Sequence, residues 1–222
     1  ITAVQQIEAM DTAVHVAAVD VADREQMARL IAQFGQELPP LRGVLHAAVA
    51  MTEWPIADMP ADALSAMMQT KVQGTWHLHT LTREQPLDFF VAFSSTTALW
   101  GVSNLGHYAA ANQFMDALAH YRQAQNLPMT SINWGTWEVM RVASTADQAK
   151  VAQFGLQPMA LEKALAALGD LLGHDRPPQM MVAGVDWHTL KAAYEAKRPK
   201  PFLANIQTTQ AVATAPKEKA AP

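Results

Sequence analysis

The chain has 222 residues, half of them apolar, with no cysteine and a formal net charge of −4. This length and apolar content suffice for one domain with a substantial core, whereas the weak negative charge and the lack of basic clusters argue against nucleic-acid binding. The absence of cysteine excludes disulfides and thiolate sites and fits a cytoplasmic location, and no apolar run reaches the roughly 18 residues that span a membrane.

Expected strands and helices alternate along the chain. The expected helices cover residues 1–10, 23–38, 62–81, 108–125 and 162–172, and the expected strands cover residues 13–21, 43–48, 88–94, 129–134 and 180–183. Asp23 can cap the second helix, and Pro39-Pro40 can end it. Alternation of this kind predicts an α/β fold with a Rossmann-like, doubly wound parallel sheet.

Polar or small residues follow four of these strands. In parallel sheets, ligands bind at the carboxyl ends of the strands. The positions that this rule marks are Asp20, Ala47-Ala48, Ser94-Ser95 and Trp134-Gly135. We therefore expect a cofactor to lie along this edge of the sheet.

Four polar side chains have a spacing that suits the reduction of a ketone. Tyr108 and Asn112 are four residues apart and share a helix face, Ser95 ends a strand, and Lys71 lies on the preceding long helix. Tyrosine can donate a proton, serine can hold the carbonyl oxygen, and the lysine ammonium can make the phenol more acidic. Taken singly, each has an ordinary explanation as a packing tyrosine, a capping serine or a solvated lysine. Their joint spacing favours the catalytic interpretation.

Several segments resemble the ketoreductase domains of modular polyketide synthases, within the short-chain dehydrogenase/reductase superfamily. The matching segments are Val19–Arg24, Gly43–Ala48, Lys71–Leu78, Leu87–Ser95, Tyr108–Asn112, Ser131–Gly135 and Val185–Trp187. In this family lysine and asparagine exchange places relative to ordinary short-chain reductases, which explains Asn112 after Tyr108. The resemblance implies NADPH-dependent reduction of a β-ketoacyl group, carried by the phosphopantetheine of an acyl carrier protein, to a β-hydroxyacyl group.

The resemblance implies a role for each residue of the four. Tyr108 is the expected proton donor and Ser95 the carbonyl clamp. Lys71 is expected to tune Tyr108 and hold the ribose, and Asn112 to order the lysine and a water. The further positions expected to contact the cofactor are Asp20 and Val21 at the adenine, Ala47 and Ala48 along its length, and Trp134 and Gly135 at the nicotinamide.

Two residues near Tyr108 bear on stereochemistry. Trp100 resembles the signature of A-type domains, which implies an L-configured hydroxyl, although a rim aromatic is the alternative. Leu105 replaces the histidine that is associated with epimerising A-type domains, and Met51-Thr52-Glu53 stands where B-type domains have Leu-Asp-Asp. The resemblance therefore favours the A1 type.

The chain departs from the family in two places. No glycine-rich turn for a pyrophosphate occurs in the sequence, and Val49 replaces the glycine that usually follows His-Ala-Ala. We expect the missing segment to lie upstream in the native polypeptide, so that the chain is an N-terminally truncated ketoreductase. A non-catalytic structural domain of a synthase and a free-standing short-chain dehydrogenase remain the alternatives.

The expected domain organisation is a catalytic region over residues 1–206 followed by a linker over residues 207–222, because large apolar groups are few in the latter. We expect other synthase domains to follow such a linker. The eight histidines show no ligand spacing, so no metal site is expected.

Overall fold

The computed structural model describes residues 2–139, 151–173 and 177–208. The described helices are α1 (Thr2–Glu8), α2 (Arg24–Ala32), α3 (Ala61–Met68), α4 (Gly74–Leu81), α5 (Thr97–Trp100), α6 (Gly106–Gln123), α7 (Leu161–Leu171) and α8 (Trp187–Glu195). The described strands are β1 (Gly43–His46), β2 (Phe89–Ser95), β3 (Thr130–Trp134), β4 (Leu156–Gln157), β5 (Gln179–Val182) and β6 (Gly184–Val185). Short 3₁₀ turns lie at Ile56–Asp58 and Pro201–Leu203, and a π-helical turn lies at Gln69–Gln73.

The main sheet has four strands in the order β1-β2-β3-β5. β1 and β2 pair in parallel, with Gly43 beside Phe89 and His46 beside Ala92. This confirms the predicted α/β fold with a parallel sheet. Four of the five expected strands are present in this sheet, with their ends shifted by at most two residues.

The expected strand at residues 13–21 is wrong. Residues 13–20 contain no strand, and the Val16 side chain is 80% exposed. A β-strand requires a neighbouring strand for its backbone hydrogen bonds, and no described segment pairs with these residues. β1 therefore pairs with β2 alone among the described strands, and the Leu45 side chain on β1 is half exposed.

Two compact units make up the chain. The first comprises Ile1–Asn133 with Leu171–Met180, and the second comprises Trp134–Asp170 with Met181–Pro222. The core of the first unit is formed by α2, α4, β2 and α6. Its buried members are Met27, Ile31, Leu78, Phe90, Ala92, Met115, Leu118, Ala119 and Met129.

In the second unit, β4 and β6 pair antiparallel, with Leu156 beside Val185. Gly155 precedes this pair with a φ of +90°, and a Cβ there would approach the Asp186 carbonyl oxygen to 2.7 Å. Asp186 caps α8 by accepting hydrogen bonds from the backbone of His188 and Thr189. This turn therefore depends on glycine for both its conformation and its close packing.

Local signals explain both ends of α2. The Asp23 side chain accepts hydrogen bonds from the backbone of Glu25 and Gln26, which confirms the expected cap of α2. α2 ends at Ala32 and not near residue 38, and Gly35 follows with a φ of +79°. None of the helices in the described ranges is long and apolar enough to cross a bilayer. All but two residues of the expected linker lie outside the described ranges.

Candidate active site

Ser95 and Tyr108 meet where β2 ends and α6 begins. Ser95 is the last residue of β2, and its hydroxyl is held by Thr97, whose backbone N–H donates to Ser95 Oγ over 3.1 Å. Tyr108 lies in the first turn of α6. The Ser95 side chain lies close enough to the Tyr108 phenol to act on its pKa, which it lowers. A strand end and a helix start thus bring the two hydroxyl groups together.

Lys71 approaches the same place from the long helical segment that precedes β2. It lies in the π-helical turn between α3 and α4, and only 2% of it is exposed. Lys71 Nζ donates to the Phe93 carbonyl oxygen over 2.9 Å and lies 5.6 Å from the centre of the Tyr108 ring. Single π-helical turns inside α-helices often occur at functional sites.

Burial dominates the titration of Lys71. Removal from water lowers its pKa from the usual 10.5 to about 8, although the negative charge of Asp116 opposes this shift. At neutral pH the ammonium form therefore still predominates. A charge held in so dry a place acts strongly on its surroundings.

Asn112 lies one turn beyond Tyr108 on α6 and is fully buried. Its Nδ2 donates to the Tyr108 carbonyl oxygen over 2.7 Å, whereas its Oδ1 accepts no hydrogen bond. A buried acceptor without a donor costs free energy. Asn112 Oδ1 is therefore placed to accept a hydrogen bond from a polar ligand bound in this site.

The Tyr108 phenol is held in its protonated form. Burial raises its pKa above the usual 10, and the polar side chains of Ser95 and Asn112 oppose this only in part. The expectation that the surroundings make the phenol more acidic is therefore wrong for the protein groups alone, because desolvation outweighs them. A protonated phenol is the form that can donate a proton to a carbonyl oxygen.

His46, at the end of β1, has an environment that opposes protonation. It is 4% exposed, and burial together with the nearby Lys71 charge lowers its pKa from 6.5 to about 4. The folded protein thus binds the His46 proton only near pH 4, whereas the unfolded chain binds it near pH 6.5.

This difference predicts a loss of stability in acid. The contribution of neutral His46 is complete above pH 6.5 and is lost as the pH falls from 6.5 to 4, by up to about 3 kcal/mol. Urea unfolding of the native polypeptide at pH 7, 6 and 5 measures the loss. His46→Asn should show a smaller fall in unfolding free energy over that range, and an equally steep fall would contradict the assignment.

The chain matches proteins of known family. The KR domain family matches residues 1–139. The chain belongs to this ketoreductase family. Polyketide synthase GfsA of Streptomyces halstedii is 37% identical over 198 residues, which are 89% of this chain and 3% of that protein.

Solved ketoreductases share the fold. An A1-type ketoreductase is 37% identical with a TM-score of 0.86, covering 91% of this chain and 42% of that one. A C2-type ketoreductase of a modular polyketide synthase is 34% identical with a TM-score of 0.83, covering 92% of this chain and 44% of that one. Because both types match, the fold alone does not distinguish the ketoreductase types. The chain spans less than half of these ketoreductase chains.

Four residues that were predicted to contact the cofactor lie in the first unit, namely Asp20, Val21, Ala47 and Ala48. Ala47 and Ala48 directly follow β1. Asp20 does not follow a strand, since the expected strand is absent. Its Oδ1 accepts from the backbone of Ala22 over 2.9 Å, and the Val21 carbonyl oxygen lies 3.3 Å from Nδ1 of His77.

The remaining predicted residues also have defined places. Trp100 ends α5 before Gly101, which has a φ of +71°, and Leu105 directly precedes α6. In the second unit, Trp134 is buried and its ring contacts Trp137 edge-on. A Cβ on Gly135 would come within 2.8 Å of the Ala183 Cβ, so the backbone runs close there.

Sequence reasoning missed the buried polar residues beneath this site. Asp116 and Asn133 are fully buried beside Ser94 and Ser131. The signal was present, because Asp116 continues the four-residue spacing of Tyr108 and Asn112. No group of three or more histidine or acidic side chains suited to a metal occurs within the described ranges.

Proposed function

We propose that this chain is the catalytic part of an NADPH-dependent β-ketoacyl reductase in a polyketide synthase. Its substrate is a β-ketoacyl thioester on an acyl carrier protein, and its product is the β-hydroxyacyl thioester. The observation that carries the proposal is the convergence of Ser95, Tyr108 and buried Lys71, with the unpaired Asn112 acceptor beside them. Under this proposal residues 1–206 form the catalytic region and residues 207–222 a linker.

In the proposed reaction the Ser95 and Tyr108 hydroxyl groups share one task, and Tyr108 has a second. The Ser95 and Tyr108 hydroxyls hydrogen-bond the substrate carbonyl oxygen, on which negative charge develops. A nicotinamide cofactor, when bound, would supply the hydride that the carbonyl carbon accepts. Tyr108 then delivers its proton to the oxygen, and the hydroxyl product is complete.

Lys71 and Asn112 support this proton transfer. The Lys71 ammonium stabilises negative charge on the Tyr108 oxygen after the proton has left, because it is desolvated and lies against the ring. One of its protons is bound by the Phe93 carbonyl oxygen, which leaves two for the ribose hydroxyls or a water. Asn112 Oδ1 is the acceptor available for such a water or for the ammonium itself.

The residues present fit only the nicotinamide half of the cofactor. Donors and an unpaired acceptor suit the ribose and the nicotinamide, with Ala47, Ala48, Trp134 and Gly135 as further proposed contacts and Asp20 with Val21 at the adenine. The sequence contains no glycine-rich turn for the pyrophosphate. We propose that another segment of the native polypeptide supplies it, which agrees with the coverage of 42% of the A1-type ketoreductase.

The proposed product carries an L-configured hydroxyl. Trp100 at the end of α5 and Leu105 directly before α6 support an A1-type reductase through the resemblance. Chiral chromatography of the released β-hydroxy acid should show the L product in excess. A D product would refute the assigned type while leaving the reductase chemistry intact.

Cofactor binding separates the reductase from a non-catalytic structural domain. Val49 and the lack of a glycine-rich turn in the sequence are the two features that favour the structural domain. The test is fluorescence titration of NADPH and NADH with the full native polypeptide. We expect saturable binding with NADPH preferred, and weaker binding in Lys71→Met. The absence of saturable binding of both NADPH and NADH would favour the non-catalytic structural domain.

A further inference from the structure

A fully buried carboxylate lies beneath the proposed active site. Asp116 follows Asn112 by four residues, as Asn112 follows Tyr108, so the three side chains lie along one face of α6. None of the Asp116 surface is exposed. The proposed proton transfer gives this residue no task.

Three side chains donate hydrogen bonds to this carboxylate. Ser131 Oγ donates to Oδ1 over 2.6 Å, Asn133 Nδ2 donates to Oδ2 over 2.8 Å, and Gln179 Nε2 donates to Oδ2 over 3.1 Å. Both oxygens therefore act as acceptors, which is the pattern of an ionised carboxylate. Such charge-assisted bonds hold the group firmly in one orientation.

The negative charge of Asp116 acts on Lys71. The two ion pairs found among the described residues, Arg29 with Glu25 and Arg42 with Asp88, are at the surface and do not involve it. Asp116 is the charge that opposes the loss of the Lys71 proton on burial. Two isolated buried charges would each be costly, so each lowers the cost of the other.

The same network reaches the strand that carries Ser95. Asn133 Nδ2 also contacts Ser94 Oγ at 2.9 Å and the Ser95 carbonyl oxygen at 3.2 Å. Ser94 Oγ in turn donates to the Asn112 carbonyl oxygen over 3.4 Å. The anchored carboxylate is thus connected to the ends of β2 and β3 and to the catalytic face of α6.

We propose that Asp116 is a positioning residue for reduction, whose buried carboxylate keeps the Lys71 ammonium charged and anchors β2 and β3 beside Ser95. The inference rests on the proposed function, because only there does the ammonium have a catalytic task. It assigns Asp116 to the site although Asp116 touches neither the proposed substrate nor the proposed cofactor.

The titratable groups around Lys71 are few. His46 faces it from β1, and Tyr108 and Asp116 face it from α6. β2 contributes the Phe93 carbonyl oxygen. Around Asp116, the described residues of β3 and β5 contribute neutral hydrogen-bond donors. His120 is the next titratable group, with its Nε2 atom 3.4 Å from Gln179 Oε1. His46 is neutral above pH 5, so Asp116 is the charged group that opposes the larger effect of desolvation on the pKa of Lys71 near neutrality.

Asp116→Asn removes the charge while preserving the shape. An asparagine can accept from Asn133 and Gln179 through its oxygen and can donate to the Ser131 hydroxyl through its amide. Ser131→Ala is the matched control, because it removes one hydrogen bond and keeps the charge. The measurement is kcat/KM for NADPH-dependent reduction of a β-ketoacyl thioester by the full native polypeptide from pH 6 to pH 9.

We expect the Asp116→Asn defect to grow with pH. Loss of an opposite charge should shift the alkaline fall of kcat/KM down by roughly one pH unit. The ratio of wild-type to variant kcat/KM should then rise about fivefold between pH 6 and 8 and about ninefold by pH 9. Ser131→Ala should follow the wild-type profile in shape. A ratio that is the same at every pH would overturn the inference and leave Asp116 with a structural role alone.

A second variant covers failure of Asp116→Asn to fold. Gln179 is partly exposed and contacts Asp116 Oδ2, so Gln179→Lys places an ammonium against the carboxylate and offsets its charge. The pH-dependent defect should appear there with the same sign. A parallel profile in Gln179→Lys would count against the inference.

A readout without turnover distinguishes failure of this inference from failure of the proposed function. A double-mutant cycle of Lys71→Met and Asp116→Asn, followed by urea unfolding, measures their coupling. We expect a favourable coupling at pH 7 that disappears near pH 10. Absence of coupling would overturn the inference even in an active reductase, whereas coupling in a protein that reduces nothing would overturn only the proposed function.

Discussion

Tyr108→Phe is expected to lower kcat/KM for β-ketoacyl reduction by roughly 10²–10⁴-fold, the usual contribution of a positioned general acid. The substitution removes one oxygen and keeps the ring that packs against Lys71. It also removes a buried hydroxyl whose pKa burial raises, so the fold should be retained. NADPH oxidation with a β-ketoacyl thioester measures the effect.

Tyr121→Phe provides the matched control. Tyr121 lies on the same helix but is 52% exposed and packs edge-on against His79, away from Lys71. Its substitution should leave kcat/KM within about twofold, since surface changes of this kind are small. Equal activities of the wild type and Tyr108→Phe would remove Tyr108 as the proton donor.

Lys71→Met is expected to lower kcat/KM by roughly 10²–10³-fold, the cost of removing one group that stabilises developing charge. Methionine fills similar space without the charge. Because burial lowers the pKa of Lys71 to about 8, the folded state disfavours the charged lysine below that pH relative to the unfolded chain. Removing the buried Lys71 charge therefore removes a cost but also removes its attraction to Asp116, so stability at pH 7 should change little.

A large loss of activity with little change in stability separates a catalytic role from misfolding. The unfolding free energy in urea and the kcat/KM value are measured on the same preparation. Lys163→Met, at an exposed position on α7, is the control and should change neither. A Lys71→Met protein that reduces substrate at the wild-type rate would contradict the proposed role of the ammonium.

The sequence predicted the elements that carry the site. The apolar run before Ser95 gave β2, and the spacing of Tyr108 and Asn112 placed both on α6. These elements are long and buried, so local pattern and tertiary packing agree. The convergence of Lys71 with them was expected from the joint spacing of the four residues and from the resemblance to ketoreductase domains, since strand order does not place a residue of a helix.

Other features of the fold could not be predicted from the local sequence pattern, because they depend on a neighbouring strand or on a single residue. The segment at residues 13–21 has strand composition, but pattern cannot show whether a neighbouring strand is available to pair with it. Gly35 ends α2 soon after Ala32, before the expected Pro39-Pro40, since a glycine with positive φ is a common helix end. The π-helical turn around Lys71 has no sequence signal that we could use.

The buried carboxylate shows a different limit. Asp116 had the spacing of the site, but its meaning depends on donors from β3 and β5, which are far apart in the chain. The cap at Asp186 and the helix α8 after it were not predicted either, although an aspartate before a helix start is a local signal. Local signals of this kind are visible in sequence, whereas networks between distant strands are not.

The most direct test of the account is product formation by the native polypeptide that contains this chain. The polypeptide is incubated with NADPH and a β-ketoacyl thioester, and the β-hydroxyacyl product is quantified by mass spectrometry against NADPH consumed. We predict one β-hydroxyacyl product per NADPH oxidised, and product formation lowered by roughly 10²–10⁴-fold with Tyr108→Phe. NADPH that binds saturably while the keto group remains unreduced would contradict the account.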